Sequence, residues 1–334
     1  MTKKLTCLLA GTAIAASASM ATAEAHLDEL TVAYFLEWPM PFLAGKADGA
    51  YAEALGVDVN WVSFDTGTAM SAAMASGDVQ IAVSQGVPPF VVAASAGQPL
   101  QVLDVAVTYS ENDNCVVRSD LEIDKSNAAE LEGTKVAVPL GTAAHYGFLR
   151  QMDHFGVPLD SLEIVDMAPP EGAAALSQGS VDFACGYGGS LTTMKEYGNV
   201  LLTGAEKEEL GILVFDVTSA PADFVAENPD LVATFLGVTA RYNEMWNTGE
   251  GGEEMMETIA AESGMDLEPA RDFIATMGFP SVETQMSATW MEGGIAEFMQ
   301  GVAGVFVEAG SISGSLDSYE NAVNAGPLTD ASSM

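Results

Sequence analysis

Positive charge, histidine and cysteine are what this 334-residue chain has least of: 11 lysines and arginines stand against 47 acids, with three histidines and three cysteines. A net charge of −36 repels phosphate backbones and anionic lipid, which argues against nucleic acid and membrane surfaces as partners. Such self-repulsion is screened in salt-rich surroundings. The histidines (His26, His145 and His154) make no zinc-ligand spacing with the cysteines or acids, so no metal is expected. Neither a G-x-S-x-G elbow nor a Walker loop occurs. Gly-Tyr-Gly-Gly-Ser at 186–190 follows a strand-like run but departs from the dinucleotide fingerprint. So small a stock of catalytic side chains points away from an enzyme, and no cofactor is expected.

Long apolar runs are missing as well, beyond the N-terminal segment. There, Lys3 and Lys4 precede an apolar, small-residue run from Leu5 to Met20, and Ala21-Thr22-Ala23 supplies the small residues of a cleavage site. The pattern predicts a secretory signal peptide over residues 1–23, cut before Glu24, and a soluble exported product. Losing a leader with two lysines and no acid takes the net charge from −36 to −38. In an oxidising compartment Cys115 and Cys185 can pair, although two cysteines define no framework.

Apolar residues are plentiful, at 49 % against 17 % charged, so the chain has ample material for a core. Its middle contains a diverged duplication. Thr31-Val32-Ala33-Tyr34 has a counterpart in Lys135-Val136-Ala137-Val138, and the alternating run Val57 to Phe64 has one in Leu162 to Met167. Ala75-Ser76-Gly77-Asp78-Val79-Gln80-Ile81-Ala82 matches Ser177-Gln178-Gly179-Ser180-Val181-Asp182-Phe183-Ala184. Each copy reads strand, helix, strand, helix, strand, with the helices near 68–76 and 172–178 stopping at a glycine able to take the left-handed C-cap. That alternation predicts two α/β lobes, each a mostly parallel sheet flanked by helices. The runs Pro99 to Val107, Cys115 to Arg118 and Leu213 to Thr218 are the natural crossings. The expected layout is a first lobe of 24–109 and 219–334 and a second of 110–218. After Asn228-Pro229, read as a helix N-cap and first residue, helices near 252–262, 267–277 and 287–309 should pack on the first lobe.

Three strand ends lead into helices through small polar residues: Phe64-Asp65-Thr66-Gly67-Thr68, Val83-Ser84-Gln85-Gly86 and Pro139-Leu140-Gly141-Thr142-Ala143. Free N–H groups and hydroxyls at such ends can hold an oxyanion without lysine or arginine. If the lobes face each other the three converge on one cleft. Trp38, beside Glu37, and Tyr187 bring aromatics to the same ends. So acidic a chain opposes the approach of a free anion, whereas a zwitterion carries no such penalty. Its cationic end would meet a carboxylate, Asp216 or Glu37, with cation–π attraction from a neighbouring ring. Asp216 lies in the apolar run Leu213-Val214-Phe215-Asp216-Val217 and so needs a partner.

Several of these pieces resemble the periplasmic taurine-binding proteins of ABC importers, within the wider group that binds sulfonates, nitrate and thiamine precursors. They are Thr31-Val32-Ala33-Tyr34, Phe64-Asp65-Thr66-Gly67, Ala75 to Ile81, Val136-Ala137-Val138-Pro139, His145-Tyr146, Ile164-Val165 and Pro169-Pro170. The resemblance runs to about Tyr319. It implies a type II-like two-lobed binding protein, monomeric, closing over taurine or a related small zwitterionic sulfonate and delivering it to the membrane subunits of an ABC permease. It implies that Gly141, Thr142 and Ala143 bind the sulfonate, that Gln85, Gly86 and Val87 face them, and that Asp216 takes the ammonium. Asp65, Thr66 and His145 belong to the same motifs. The chain departs from the pattern at Cys185-Gly186-Tyr187-Gly188-Gly189 and at Ser84 to Pro89. Both stretches line the cleft, leaving room for another sulfonate or amine. An enzyme of thiamine-pyrimidine synthesis on the same scaffold is the alternative, but it calls for a cofactor lysine and catalytic histidines.

Overall fold

In a computed structural model, residue 27 and residues 29–332 are described; the expected leader, its cleavage point and His26 lie outside them. The chain runs β1 (Glu29–Tyr34), α1 (Phe42–Ala47), α2 (Ala50–Leu55), β2 (Asp58–Ser63), α3 (Gly67–Ser76), β3 (Ile81–Gly86), α4 (Val87–Ser95) and β4 (Leu100–Tyr109). It continues through β5 (Asp113–Arg118), β6 (Lys135–Val138), α5 (Ala143–Phe155), β7 (Glu163–Asp166), α6 (Pro169–Ser177), β8 (Phe183–Tyr187), α7 (Gly188–Lys195), β9 (Gly198–Val200) and α8 (Gly204–Glu209). The last part holds β10 (Val214–Pro221), α9 (Ala222–Glu227), α10 (Pro229–Thr248), α11 (Gly252–Ser263), α12 (Leu267–Ile274), β11 (Met277–Gly278), α13 (Val282–Gln285), α14 (Gly294–Glu308) and α15 (Gly326–Ala331).

Two sheets result, ordered β11-β4-β10-β3-β1-β2 and β7-β6-β8-β5-β9. The duplication is visible in them. In the first, β2, β1 and β3 are parallel and β10 joins antiparallel to β3. In the second, β7, β6 and β8 are parallel and β5 joins antiparallel to β8. Each lobe therefore has three parallel strands followed by one that arrives from the crossing. β10 lies in the first sheet along its whole length, paired with β4 from Val214 to Pro221. Most of the run Leu213 to Thr218, expected as a crossing, is therefore a strand of the first sheet.

Local chemistry explains the element ends. Thr66 and Thr142 cap α3 and α5 by accepting from the amides of Ala69 and His145. Gly77, at φ 84°, ends α3 in the left-handed conformation, and Gly179, at φ 71°, follows α6. Asn228 precedes α10, but its side chain does not cap it; its amide donates back to the Phe224 carbonyl. The helix expected over 287–309 starts only at Gly294, because a Cβ there would lie 1.9 Å from the Thr289 carbonyl oxygen and Gly293 adopts φ 131°.

The larger core runs from the first lobe into the second. Phe306 of α14 packs its ring 5.3 Å from that of His145 on α5, so α14 bridges the lobes instead of lying on the first alone. A smaller core under α6 and α7 gathers Val116, Ala137, Leu176, Leu191 and Met194 on the outer face of the second sheet. Burying each such side chain contributes roughly 1.5–3 kcal/mol. Cys115 and Cys185, opposite each other on β5 and β8, form a disulfide. Among the described residues no helix is long and apolar enough to cross a membrane.

Candidate functional site

The carboxyl ends of the parallel strands in both sheets face one cleft. Its floor is a small cavity between the lobes. The first lobe contributes Phe35, Trp38, Gly67, Gly86, Pro89, Tyr109 and Asp216; Thr142, Ala143 and Tyr187 close it from the second. No lysine or arginine lines it.

Asp216 is the charged group of this cavity, 3 % exposed at the middle of β10. Tyr109 Oη donates to its Oδ1 at 2.8 Å and Ser84 Oγ to its Oδ2 at 2.6 Å. The Ser84 hydroxyl accepts in turn from Trp38 Nε1 at 2.9 Å. Burial pushes the carboxyl up to about 7, against the two hydrogen bonds, which favour the anion. Ser84 can reach it because the residue sits at φ 62°, a conformation costing an L-residue about 1–2 kcal/mol. Gly86 keeps the carboxylate open: a Cβ there would lie 3.4 Å from Asp216 Oδ1 and 3.3 Å from Pro89. No ion pair reaches Asp216 among the described residues.

Opposite polarity comes from helix starts. At α5 the Thr142 hydroxyl donates to the Pro139 carbonyl at 2.7 Å, while the amides of Ala143 and Ala144 have no acceptor among the described residues. Aligned peptide dipoles add about half a positive charge at such an end. Gly67 begins α3 on the same cavity. α4 is donor-poor by contrast, since Pro88 and Pro89 occupy its first turn and carry no N–H.

The residues expected from the sequence divide into three groups. Trp38, Gly86, Thr142, Ala143, Tyr187 and Asp216 come together on the cavity. Glu37 and Asp65 stand at its mouth. Glu37 has φ 53° and holds its carboxylate against Gly189 at the start of α7, where a Cβ would meet Oε2 at 2.3 Å. The Asp65 carbonyl accepts the Tyr187 hydroxyl at 2.8 Å, a hydrogen bond between lobes. The remaining five support the walls without lining the cavity. Gln85 is 0 % exposed and turned into the first lobe, its amide on the Gly67 carbonyl and Ser71 and its oxygen on Ser219. Val87 is buried; Thr66 caps α3. The Gly141 amide is taken by His145 Nδ1 at 3.0 Å, and burial pulls that imidazole down to about 4, leaving it neutral.

Phe35, Tyr109, Gly67 and Pro89 also line the cavity, and the sequence does not mark them as site residues. Gly67 and Pro89 stand in motifs already singled out, whereas Phe35 and Tyr109 sit at strand ends in runs that read as core. Trp38 meets Tyr109 edge-on at 5.1 Å and Phe35 lies 5.9 Å from Tyr187, so four aromatic rings line the cavity with Asp216.

Two facing α/β lobes with a polar-ended cavity between them define the class: a two-lobed periplasmic-binding-protein fold. The chain belongs to the NMT1/THI5-like family, whose model matches residues 39–248. It is 32 % identical over 212 residues to the taurine-binding periplasmic protein of Escherichia coli (strain K12), a match covering 64 % of each chain and so just under two thirds of that relative. Its fold is similar to that of the alkanesulfonate-binding protein SsuA from Xanthomonas axonopodis pv. citri, solved with MOPS, at a TM-score of 0.69 and 19 % identity, covering 85 % of this chain and 94 % of that one. The aliphatic sulphonate binding protein SsuA from Escherichia coli aligns at a TM-score of 0.68 and 18 % identity, covering 87 % and 91 %.

Proposed function

We propose that the chain is an exported, periplasmic solute-binding protein of an ABC importer that captures taurine or a closely related small sulfonate bearing an ammonium group. It has no turnover; closure of residues 110–213 over the rest of the fold excludes water, and the closed form is read by the permease. The observation carrying this reading is the polarity of one small cavity: an unpaired buried carboxylate, Asp216, and a helix start with free amides, Ala143 and Ala144, on opposite lobes. Such a cavity is matched by a molecule positive at one end and oxyanionic at the other. The aromatic walls suit the ammonium, and the taurine-binding relative supports the sulfonate. The enzyme alternative finds no help here, because no lysine lines the cavity and His145 is neutral and bonded to Gly141.

Isothermal titration with taurine, hypotaurine, isethionate, ethanesulfonate, nitrate and glycine betaine tests the proposal. Taurine should bind and isethionate, which replaces the ammonium by hydroxyl, should bind at least tenfold more weakly. Binding only of ligands without a sulfonate would remove the sulfonate assignment while leaving the transport reading.

A further inference from the structure

On the far side of the first sheet, away from the cleft, a second buried carboxylate has no cation. Asp104 of β4 is 3 % exposed. Its Oδ1 accepts the Thr218 amide at 3.0 Å, and no lysine, arginine or histidine pairs with it among the described residues. Burial pushes its carboxyl up, against the hydrogen bonds from Thr218, so holding it ionised calls for a cation. A neutral oxygen on the same cavity is also unsatisfied. Asn243 of α10, 6 % exposed, has no partner for its Oδ1 among the described residues, while the Thr218 hydroxyl, on the residue paired with Asp104 across the sheet, has the Asp104 carboxyl beside it. Asp104 and Asn243 line one cavity, of about 750 Å³ empty volume, between the sheet and α10, α13 and α15. Gln285 and Asn247 share its wall, and among the described residues neither amide donates to Asp104. Gln285 Nε2 donates to the Pro280 carbonyl at 3.0 Å and Asn247 Nδ2 to the Phe279 carbonyl at 2.8 Å.

We propose that this cavity is a binding site for a monovalent alkali cation such as sodium, ligated by the Asp104 carboxylate, which the Thr218 amide holds in place, and by Asn243 Oδ1. The donors are all oxygen, which selects a hard cation over a transition metal. One buried carboxylate balances one positive charge. Divalent ions draw on several carboxylates, and among the described residues no three His, Cys, Asp or Glu side chains gather at a point. Glu244 at the cavity rim and the chain's net charge of −36 raise the local cation concentration. The site lies apart from the cleft, so it does not depend on which ligand the cleft takes.

The test is thermal unfolding of the purified protein at fixed ionic strength, with NaCl replaced stepwise by N-methylglucamine chloride, whose cation is too bulky to enter. Saturable stabilisation by sodium is expected, with Tm rising by about 5 °C by the time sodium exceeds its Kd 100-fold. Asp104→Asn, which keeps an acceptor for the Thr218 amide, and Asn243→Leu should each abolish it. A crystal soaked in thallium(I) gives a readout that needs no variant to fold: anomalous density is expected within ligating distance of Asp104 and Asn243. A Tm that follows ionic strength alone, a cavity without thallium, or stabilisation by calcium but not sodium would each overturn the proposal.

Discussion

Asp216 gives the sharpest test of the cleft, because its titration and its pairing with ligand are one process. Burial places its pKa at about 7 in the ligand-free protein. An ammonium can pair only with the ionised form, so binding must expel the proton wherever it is present. At pH 5, two units below that value, roughly 1 % of the sites are ionised, and the apparent affinity for taurine should be about 100-fold weaker than its plateau near pH 8. Titrations at pH 6 in buffers of different ionisation enthalpy should detect close to one proton released per taurine. Asp216→Asn removes the charge and leaves the ammonium buried against an amide, at a cost of about 2–5 kcal/mol, or at least about 30-fold in Kd. The ligand-free protein should show the opposite trend. Its folded-state pKa is raised above the unfolded value near 3.9, so the native state binds more protons between pH 4 and 7. The contribution of Asp216 to stability therefore falls as pH rises through that window, by about 4 kcal/mol in all. The difference in unfolding free energy between wild type and Asp216→Asn isolates this group from the other acids. A taurine affinity flat from pH 5 to 8, with the Asn variant binding within threefold of wild type, would refute the pairing.

Other consequences can be checked in parallel. Lys207, 1 % exposed, donates to the carbonyl and carboxylate of Asp113, joining α8 to the start of β5 beside both crossings; Lys207→Met should cost about 3–5 kcal/mol by denaturant titration, since it strands a buried charge. Reducing the Cys115–Cys185 disulfide, whose sequence separation is 70, frees the unfolded chain and should lower stability by about 2–4 kcal/mol, read as a drop in Tm with a thiol reductant. Tyr187→Phe deletes the hydrogen bond to the Asp65 carbonyl, so ligand should leave about 2- to 10-fold faster in stopped-flow displacement, with an unchanged Tm for the ligand-free form. Association of neutral taurine should vary less than twofold between low and high salt, whereas that of anionic ethanesulfonate should speed up as salt screens the acidic surface.

Much of the fold was legible because it repeats. A strand of β-branched residues, a helix ended by glycine and another strand occur twice, and each copy folds into the same three-strand parallel unit. Helix starts at Gly67 and Thr142 were legible for a related reason, since capping residues advertise themselves locally. Gln85 shows where such reading stops. Ser84, ahead of it, takes φ 62°, and that single left-handed residue breaks the in-out alternation of β3. Ser84 is aimed at Asp216 and Gln85 into the lobe, whereas the family resemblance implies Gln85 facing the ligand. Phe35 and Tyr109 escaped because an aromatic ending a buried strand has the same pattern whether it faces core or cavity. The start of α14 escaped because the tight turn before it, with the Gly294 amide on the Ala288 carbonyl and Gly293 at φ 131°, interrupts an apolar stripe whose spacing runs through it unchanged.

The lack of basic residues, at first only a composition, becomes a requirement once the cleft is seen. An arginine on this cavity would hold an oxyanion strongly, but it would also find Asp216, and a satisfied internal pair would leave neither group for a zwitterion. Neutral dipoles avoid that outcome. The amides of Ala143 and Ala144 are fixed by the helix they begin and cannot swing to Asp216, and the Thr142 hydroxyl is held by Pro139. The carboxylate is likewise held by Tyr109 and Ser84 through donors too weak to neutralise it. Each half of the site thus stays unpaired towards the other, on opposite lobes. Only a molecule supplying both missing charges completes the two halves at once, and completing them requires the lobes to be shut. On the proposed function, selectivity for a zwitterion and the drive to close are then one property of the cavity.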